Sequence, residues 1–269
     1  MTQANFVTQA NMTQATMAQA NMAAKKLAAE CIGTAFLLMA VVGSGIMAET
    51  LSSGNVSLAL LENTIATGAA LVALILTFGP ISGAHFNPAV TLADATQGGL
   101  KWKLAAGYIL AQCVGAVAGV LAAHAMFGQR LLQTSTHVRA SGAQLFSEFI
   151  ATFGLLAVVW GCSRARLSAV PFAVGAYITA AYWFTASTSF ANPAVTLARC
   201  FTNTFAGIRP VDAPGFIVVQ LAGAFAATAL FRWLAPASPE AAEELLAPHP
   251  GAPHSVVPDT EGEQRAIHA

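Results

Sequence analysis

The heptapeptide Asn-Pro-Ala-Val-Thr-Leu-Ala occurs twice in this chain, at residues 87–93 and again at residues 192–198. An identity of seven residues repeated at a spacing of 105 residues indicates that the chain consists of two related halves. Each copy interrupts a strongly apolar half of the sequence, and each brings an asparagine amide with two N–H donors. The chemistry open to such a pair is hydrogen bonding to a polar solute at membrane depth.

Each motif predicts a short helix that begins directly after its asparagine, because proline at the first helical position loses no hydrogen bond. The residues before both motifs are small or turn-forming, and irregular backbone at membrane depth survives only where it is buried in protein or lines a water-filled cavity. Two such helix N-termini meeting head to head would carry partial positive charge, which favours a neutral solute with oxygen lone pairs and repels a cation. The predicted midplane residues are Asn87, Pro88, Ala89, Asn192, Pro193 and Ala194.

The composition requires a membrane environment for the elements that position these motifs. The chain has 269 residues, of which 56% are hydrophobic and only 9% are charged, against about 25% charged in a soluble domain. The net charge of zero gives no reason to expect a nucleic-acid partner. The four cysteines show no metal-ligand spacing, and we interpret them as small core residues.

Six apolar segments have the roughly 20-residue length of a membrane-spanning helix. The predicted spans are residues 27–48, 58–79, 103–125, 143–163, 168–187 and 213–234. Three spans in each half require the second half to enter the membrane in the opposite orientation. The sequence therefore predicts an all-α membrane protein with six transmembrane helices, two re-entrant half-helices and an inverted 3+3 repeat, whose functional site lies at the midplane.

These spans define a membrane domain at residues 27–234, with repeat one at 27–125 and repeat two at 143–234. Residues 1–26 are polar, uncharged and of low complexity, and we predict a mostly disordered tail, with a frayed helix as the alternative. Residues 235–269 contain few large apolar residues and are predicted to form a second disordered tail. Eight basic residues fall on one side of the predicted spans and four on the other, which predicts that both termini are cytoplasmic.

Two acidic residues occupy matching places in the first span of each half: Glu30 is followed by Thr34, and Glu148 is followed by Thr152. Ionisable residues within spans are functional candidates, but the match favours a symmetric structural role over a proton relay. An ion- or proton-coupled transporter remains an alternative, since inverted repeats with broken helices also build transporters. The sequence predicts no enzyme, cofactor or metal site.

The paired Asn-Pro-Ala loops, the six spans and the run Ser-Gly-Ala-His-Phe-Asn-Pro-Ala-Val-Thr resemble the aquaporin/glycerol-facilitator (major intrinsic protein) family over residues 27–234. The resemblance implies a passive channel for water and small neutral solutes in the plasma (inner) membrane, assembled as a homotetramer with one pore per monomer. It implies that Asn87 and Asn192 are the midplane donors, and that Glu30 and Glu148 brace the two re-entrant loops.

The chain departs from this family at its outer constriction, where the usual arginine after the second Asn-Pro-Ala is replaced by Val195. Counting along the chain from the motifs, without insertions, gives a predicted filter of Thr67, Ala180, Ser189 and Val195. All four are small and uncharged, so the sequence predicts a wide, neutral constriction. By resemblance, this implies permeation by polyols and by neutral metalloid acids or methylated arsenicals; a water-selective channel is the alternative.

Two further residues lie near the predicted pathway. Arg199 is four residues after Val195 and could reach back as a partial substitute for the missing arginine, although an arginine tied to loop carbonyls at the outer mouth is favoured. His85, two residues before Asn87, could gate by protonation, but a histidine packed in the loop at the cytoplasmic entrance is favoured.

Overall fold

The computed structural model describes the backbone of residues 3–235 and the side chains of residues 17–235. Within this range the chain forms six long helices and two short ones, joined by turns and by two 3-10 turns. The helices are α1 (Gln3–Leu51), α2 (Val56–Ser82), α3 (Pro88–Gln97), α4 (Trp102–Met126), α5 (Gly142–Ala165), α6 (Val170–Phe184), α7 (Pro193–Ala198) and α8 (Ala213–Leu234).

Six of these helices are long and apolar enough to cross a membrane. The two short helices, α3 and α7, begin at the prolines of the two motifs and are too short to span. The predicted fold class is therefore confirmed. The fifth span ends at Phe184, three residues earlier than predicted, because the backbone from Thr185 onwards already belongs to the irregular loop before the second motif.

The N-terminal segment requires a correction. The sequence predicted a mostly disordered tail over residues 1–26, with a frayed helix as the alternative, whereas α1 begins at Gln3 and continues without interruption to Leu51. The segment contains no glycine or proline and is rich in alanine, glutamine and methionine, which favour helix. The predicted C-terminal tail lies outside the described residues, apart from Ala235.

The two halves pack in matching ways. In the first half α1 contacts α2 and α4, and in the second half α5 contacts α6 and α8. Glycines allow the backbones to approach: a Cβ at Gly115 of α4 would collide with the Cys31 carbonyl of α1, and a Cβ at Gly223 of α8 would collide with the Phe149 carbonyl of α5. Small residues are the usual means of close helix packing in membranes.

The halves also meet where α2 crosses α6, at Gly68 and Gly175. A Cβ on Gly175 would collide with the Gly68 carbonyl, so these two glycines mark equivalent points of the two repeats. Gly68 lies 19 residues before Asn87, but Gly175 lies only 17 residues before Asn192. The second repeat is thus two residues shorter between its helix crossing and its motif.

Candidate functional site

The two motif asparagines join the re-entrant loops at the centre of the molecule. Asn87 Nδ2 donates to the carbonyl oxygen of Ala191 at 2.8 Å, and Asn192 Nδ2 donates to that of Phe86 at 2.8 Å. Each amide uses one of its two hydrogens in this way, and the second has no acceptor among the described residues. One donor of each asparagine therefore remains for a solute oxygen.

Both half-helices are capped by the same asparagines. Asn87 Oδ1 accepts from the backbone N–H of Ala89 at 2.9 Å, and Asn192 Oδ1 accepts from that of Ala194 at 3.0 Å. Both alanines are fully buried, and α3 contacts α7. Because these capping bonds hold the asparagine side chains, the amide group of each asparagine lies at the N-terminus of its half-helix.

The loop before each asparagine has left-handed backbone at three matching positions: the fourth, third and first residue before it. The residues are Gly83 (φ +88°), Ala84 (+49°) and Phe86 (+48°) in the first loop, and Thr188 (+63°), Ser189 (+50°) and Ala191 (+47°) in the second. Five of the six are not glycine, and such conformations cost about 1–3 kcal/mol each unless the surroundings hold them.

Glu30 holds the first loop in this conformation. Its carboxylate accepts four hydrogen bonds: from Ser82 Oγ at 2.6 Å, His85 N at 3.0 Å, Phe86 N at 2.7 Å and Gln112 Nε2 at 2.8 Å. The Glu30 side chain is fully buried. A buried carboxylate persists when its lone pairs are satisfied in this way, and here the donors are the loop itself.

Glu148 makes the equivalent contacts in the second half. It accepts from Phe190 N at 2.8 Å, Ala191 N at 2.9 Å and Gln220 Nε2 at 2.6 Å, and it is also fully buried. The backbone donors are again the second and the first residue before the asparagine. Each glutamate thus accepts hydrogen bonds from the re-entrant loop of its own half.

The two glutamine partners were missed in the sequence. Gln112 Nε2 also donates to Thr91 Oγ1 at 2.9 Å, and Gln220 Nε2 donates to Thr196 Oγ1 at 2.9 Å, so each glutamine ties its glutamate to the adjacent half-helix. A signal was present, since the pattern Gln-x-x-Gly-Ala occurs in both α4 and α8, at residues 112–116 and 220–224.

Three of the four predicted filter residues are buried near the second loop or on the inner side of α2. Thr67 is 3% exposed, Ser189 is 3% exposed and Val195 is 5% exposed. Ser189 and Val195 lie three residues before and after Asn192. The Ser189 hydroxyl is buried and has no hydrogen-bond partner within the described part of the chain.

The fourth predicted filter residue, Ala180, was wrongly assigned. Ala180 is exposed on the outer face of α6, as are Ala176 and Phe184, four residues to either side. Tyr182 is buried instead, and its hydroxyl lies 3.3 Å from Thr67 Oγ1. The prediction failed because it counted back from Asn192 without allowing for the two residues by which the second repeat is shorter.

Arg199 is fixed at the outer end of the molecule, by which we mean the end that carries residues 127–141 and 199–212. Its Nε donates to the Ala206 carbonyl, its guanidinium carbon lies 3.4 Å from the centroid of the Phe190 ring, and the residue is 2% exposed. These contacts are those of an arginine tied to a loop carbonyl, the alternative that the sequence favoured.

His85 lies in the loop before the first half-helix, α3, and its ring contacts residues of that helix. Its Nδ1 lies 3.1 Å from Thr91 Oγ1, and its Nε2 lies 3.9 Å from the Asp94 carboxylate. Its backbone N–H is one of the donors to Glu30. His85 is therefore packed within the loop in this structure. No cluster of three or more His, Cys, Asp or Glu side chains suited to a metal ion occurs among the described residues.

The paired half-helices, their crossed asparagine contacts and the six spans define a channel architecture of the aquaporin type. Comparison with known families agrees: residues 17–187 and 163–257 match the family described as Major intrinsic protein. The chain therefore belongs to the major intrinsic protein family, which consists of membrane channels and not of enzymes. It is a multi-pass integral membrane protein.

Among individual relatives, the chain is 57% identical over 205 residues to "Aquaglyceroporin AqpS" of Rhizobium meliloti (strain 1021), covering 76% of this chain and 88% of the relative. It is 33% identical over 204 residues to "Probable aquaporin NIP-type" of Nicotiana alata, covering 73% and 74%. The crystal structure of the aquaglyceroporin from Plasmodium falciparum matches with a TM-score of 0.61 at 22% identity, covering 80% of this chain and 98% of that one, which supports the fold alone.

Proposed function

We propose that this protein is a passive channel for water and small neutral solutes of the glycerol class, including neutral metalloid acids. The observation that carries the proposal is the pair of buried asparagine amides, each with one N–H left for a solute oxygen. A neutral polyol or hydroxy acid can accept these bonds in succession, whereas a cation meets two helix N-termini with partial positive charge. The name of the Rhizobium relative, an aquaglyceroporin, supports the same substrate class.

We propose Thr67, Tyr182, Ser189 and Val195 as the constriction, with Arg199 buttressing the outer mouth. Tyr182 brings an apolar ring edge and a hydroxyl, Val195 is apolar, and Thr67 and Ser189 carry hydroxyls. A constriction with hydroxyls beside apolar surface suits a solute that has both C–H and O–H groups, such as glycerol. Tyr182 makes this constriction narrower than four small residues would. Uptake of the widest solutes that the sequence predicted is therefore the strictest test of the proposal.

Three further parts of the proposal rest on the family and on the distribution of charge. We propose a homotetramer with one pathway in each protomer, located in the plasma (inner) membrane with both termini in the cytoplasm. In this orientation α3 runs towards the cytoplasmic side and α7 towards the outside, and His85 lies at the cytoplasmic entrance. Cross-linking in native membranes and protease access from each side test these statements.

The channel is tested by stopped-flow light scattering on proteoliposomes, with osmotic water flow and uptake of glycerol, urea and arsenous acid measured on the same vesicles. We expect solute uptake well above the lipid background and nearly linear with concentration. Saturable uptake driven by an ion gradient would instead indicate a coupled transporter. Water flow without solute uptake would indicate a water-selective channel.

The constriction is tested by a matched pair of aromatic deletions. Tyr182→Ala removes the buried ring and is expected to raise the uptake of the largest solute relative to water. Trp183→Ala removes the neighbouring ring, which is 49% exposed and lies about 100° further round α6, and should leave both fluxes unchanged. Equal behaviour of the two variants would remove Tyr182 from the proposed constriction.

A further inference from the structure

A second arginine at the outer end of the molecule, Arg139, is held by two backbone carbonyl oxygens and lies beside an aromatic ring. It belongs to the loop that joins the two repeats, and its Nε donates to Gly207 O at 2.8 Å while its Nη1 donates to Ser187 O at 3.1 Å. Its guanidinium carbon also lies 4.9 Å from the centroid of the Phe190 ring. Arg139 is thus anchored to the second re-entrant loop, two residues before Ser189.

The guanidinium of Arg139 has donors to spare. Its two bonds to carbonyl oxygens use two of its five N–H groups, and no acceptor for the other three occurs among the described residues. The residue is only partly exposed, and burial lowers the pKa of its guanidinium from the ordinary value of 12.5. An arginine with so high an ordinary pKa stays protonated at neutral pH, so a fixed positive charge stands beside the loop.

No carboxylate forms an ion pair with this guanidinium in the described part of the chain, although the negative charge of Glu148 acts on Arg139 from a distance and raises its pKa. Asp212 accepts the backbone N–H of Arg139, but its side chain is paired with Arg209 at 2.9 Å. Glu148 is occupied by the two loop N–H groups and by Gln220. Of the ion pairs within 4.0 Å in the described part of the chain, none includes Arg139.

The proposed constriction has no positive charge of its own, and Arg139 lies close to it. Val195 provides no charge, and Arg199 is almost fully enclosed against Phe190 and the Ala206 carbonyl. Arg139 reaches the same Phe190 ring from the joining loop and is the more exposed of the two arginines. It is therefore the arginine that an approaching ion can reach more directly, because Arg199 is almost fully enclosed by protein.

We infer that Arg139 is a specificity-determining residue of the outer entrance, where its fixed positive charge excludes cations, protons included, while neutral solutes pass. The inference rests on the proposed channel function and on the proposed constriction. The charge that the chain lacks at position 195 is in this view supplied from the loop between the repeats.

The experiment compares cation leak and neutral solute uptake in the same proteoliposomes. Proton and potassium leak are driven by an imposed potential and followed with an internal pH dye and a potential-sensitive dye. Arg139→Gln is expected to raise the cation leak about tenfold while water and glycerol uptake persist, and Arg139→Lys, which keeps the charge, should stay close to wild type. Arg130→Gln, an exposed arginine of the same loop, is the matched control and should change nothing.

Two further variants separate charge from folding. Adding Val195→Arg to Arg139→Gln returns a charge to the constriction and should restore cation exclusion. Arg139→His carries a charge that pH controls, so its cation leak should rise between about pH 5.5 and pH 8 in a single preparation, as the imidazole loses its proton. The wild type should show no such rise.

The possible outcomes are distinct. If Arg139→Gln retains solute uptake and its cation leak stays within twofold of wild type, the inference about Arg139 is wrong and the channel proposal stands. If the leak of Arg139→His does not respond to pH, the inference is also wrong, whether or not Arg139→Gln can be reconstituted. If wild-type vesicles take up neither water nor solutes, the proposed function itself fails.

Discussion

The bracing of the second loop by Glu148 gives a prediction whose size follows from the structure. In Glu148→Gln an NH2 group replaces one carboxylate oxygen. If the remaining oxygen takes the place of Oε2, it keeps the donors Ala191 N and Gln220 Nε2, and the N–H of Phe190 then faces a donor. A buried donor left without an acceptor costs about 1–3 kcal/mol.

Two other effects partly cancel. The two retained bonds lose their charge assistance and become weaker, but a neutral amide is easier to bury than a carboxylate. We therefore expect a net loss of about 2 kcal/mol. For a chain of this size, that corresponds to a fall of about 4–8 °C in the midpoint of thermal unfolding. Glu148→Ala leaves two backbone N–H groups and one N–H of the Gln220 amide without their acceptor and should cost about 3–9 kcal/mol, enough to prevent recovery of folded protein.

The assay is thermal unfolding of the purified protein in detergent, followed by intrinsic tryptophan fluorescence. Glu49→Gln is the control, because Glu49 is exposed and accepts a single backbone N–H, that of Phe205, at 2.9 Å. That change should lower the midpoint by no more than about 2 °C, since exposed groups can bond to water instead. A midpoint for Glu148→Gln within about 1 °C of wild type would refute the reasoning, because the loop would then not depend on this carboxylate.

Three further predictions concern the loops and the packing. Thr188→Gly should raise the midpoint of thermal unfolding or leave it unchanged, because removing the strain of a β-branched residue in left-handed backbone gains about 1–2 kcal/mol, which equals or exceeds the entropic cost of glycine. Gly83→Thr introduces the same strain at the matching position of the first loop and should lower the midpoint. A lower midpoint for Thr188→Gly together with a higher one for Gly83→Thr would contradict the strain argument. Hydrogen bonding from Arg209 lowers the pKa of Asp212 from 3.8, so the stabilisation from this pair is complete above the unfolded pKa and is lost as the pH falls through the lower folded pKa. Asp212→Asn should therefore lower the midpoint at pH 7 and lose its effect near about pH 2, and a pH-independent difference would exclude this origin. Gly223→Val should abolish the approach of α8 to the α5 backbone and yield little folded protein; a stable, active variant would show that the close crossing is dispensable.

The sequence alone determined the membrane fold and the centre of the site. Six apolar segments of membrane-spanning length can be accommodated only in a bilayer. The duplicated Asn-Pro-Ala fixes where the half-helices begin, because proline and asparagine act locally through backbone geometry and capping. The two buried glutamates were recognisable for a similar reason: an ionisable residue in a span is costly, so its repetition at matching places in both halves is informative.

Only the tertiary structure decided which side chains lie together near the second re-entrant loop. Tyr182, and not Ala180, is buried beside Thr67, because α6 crosses α2 at Gly175 and Gly68, and the distance along the chain from this crossing to the motif differs by two residues between the repeats. Arg139 is separated from Ser187 by 48 residues in sequence, yet donates to its carbonyl oxygen. Spacing along the chain predicts neighbours within one helix or one turn, whereas contacts between a loop and a distant helix depend on how whole elements pack, and no local pattern encodes that.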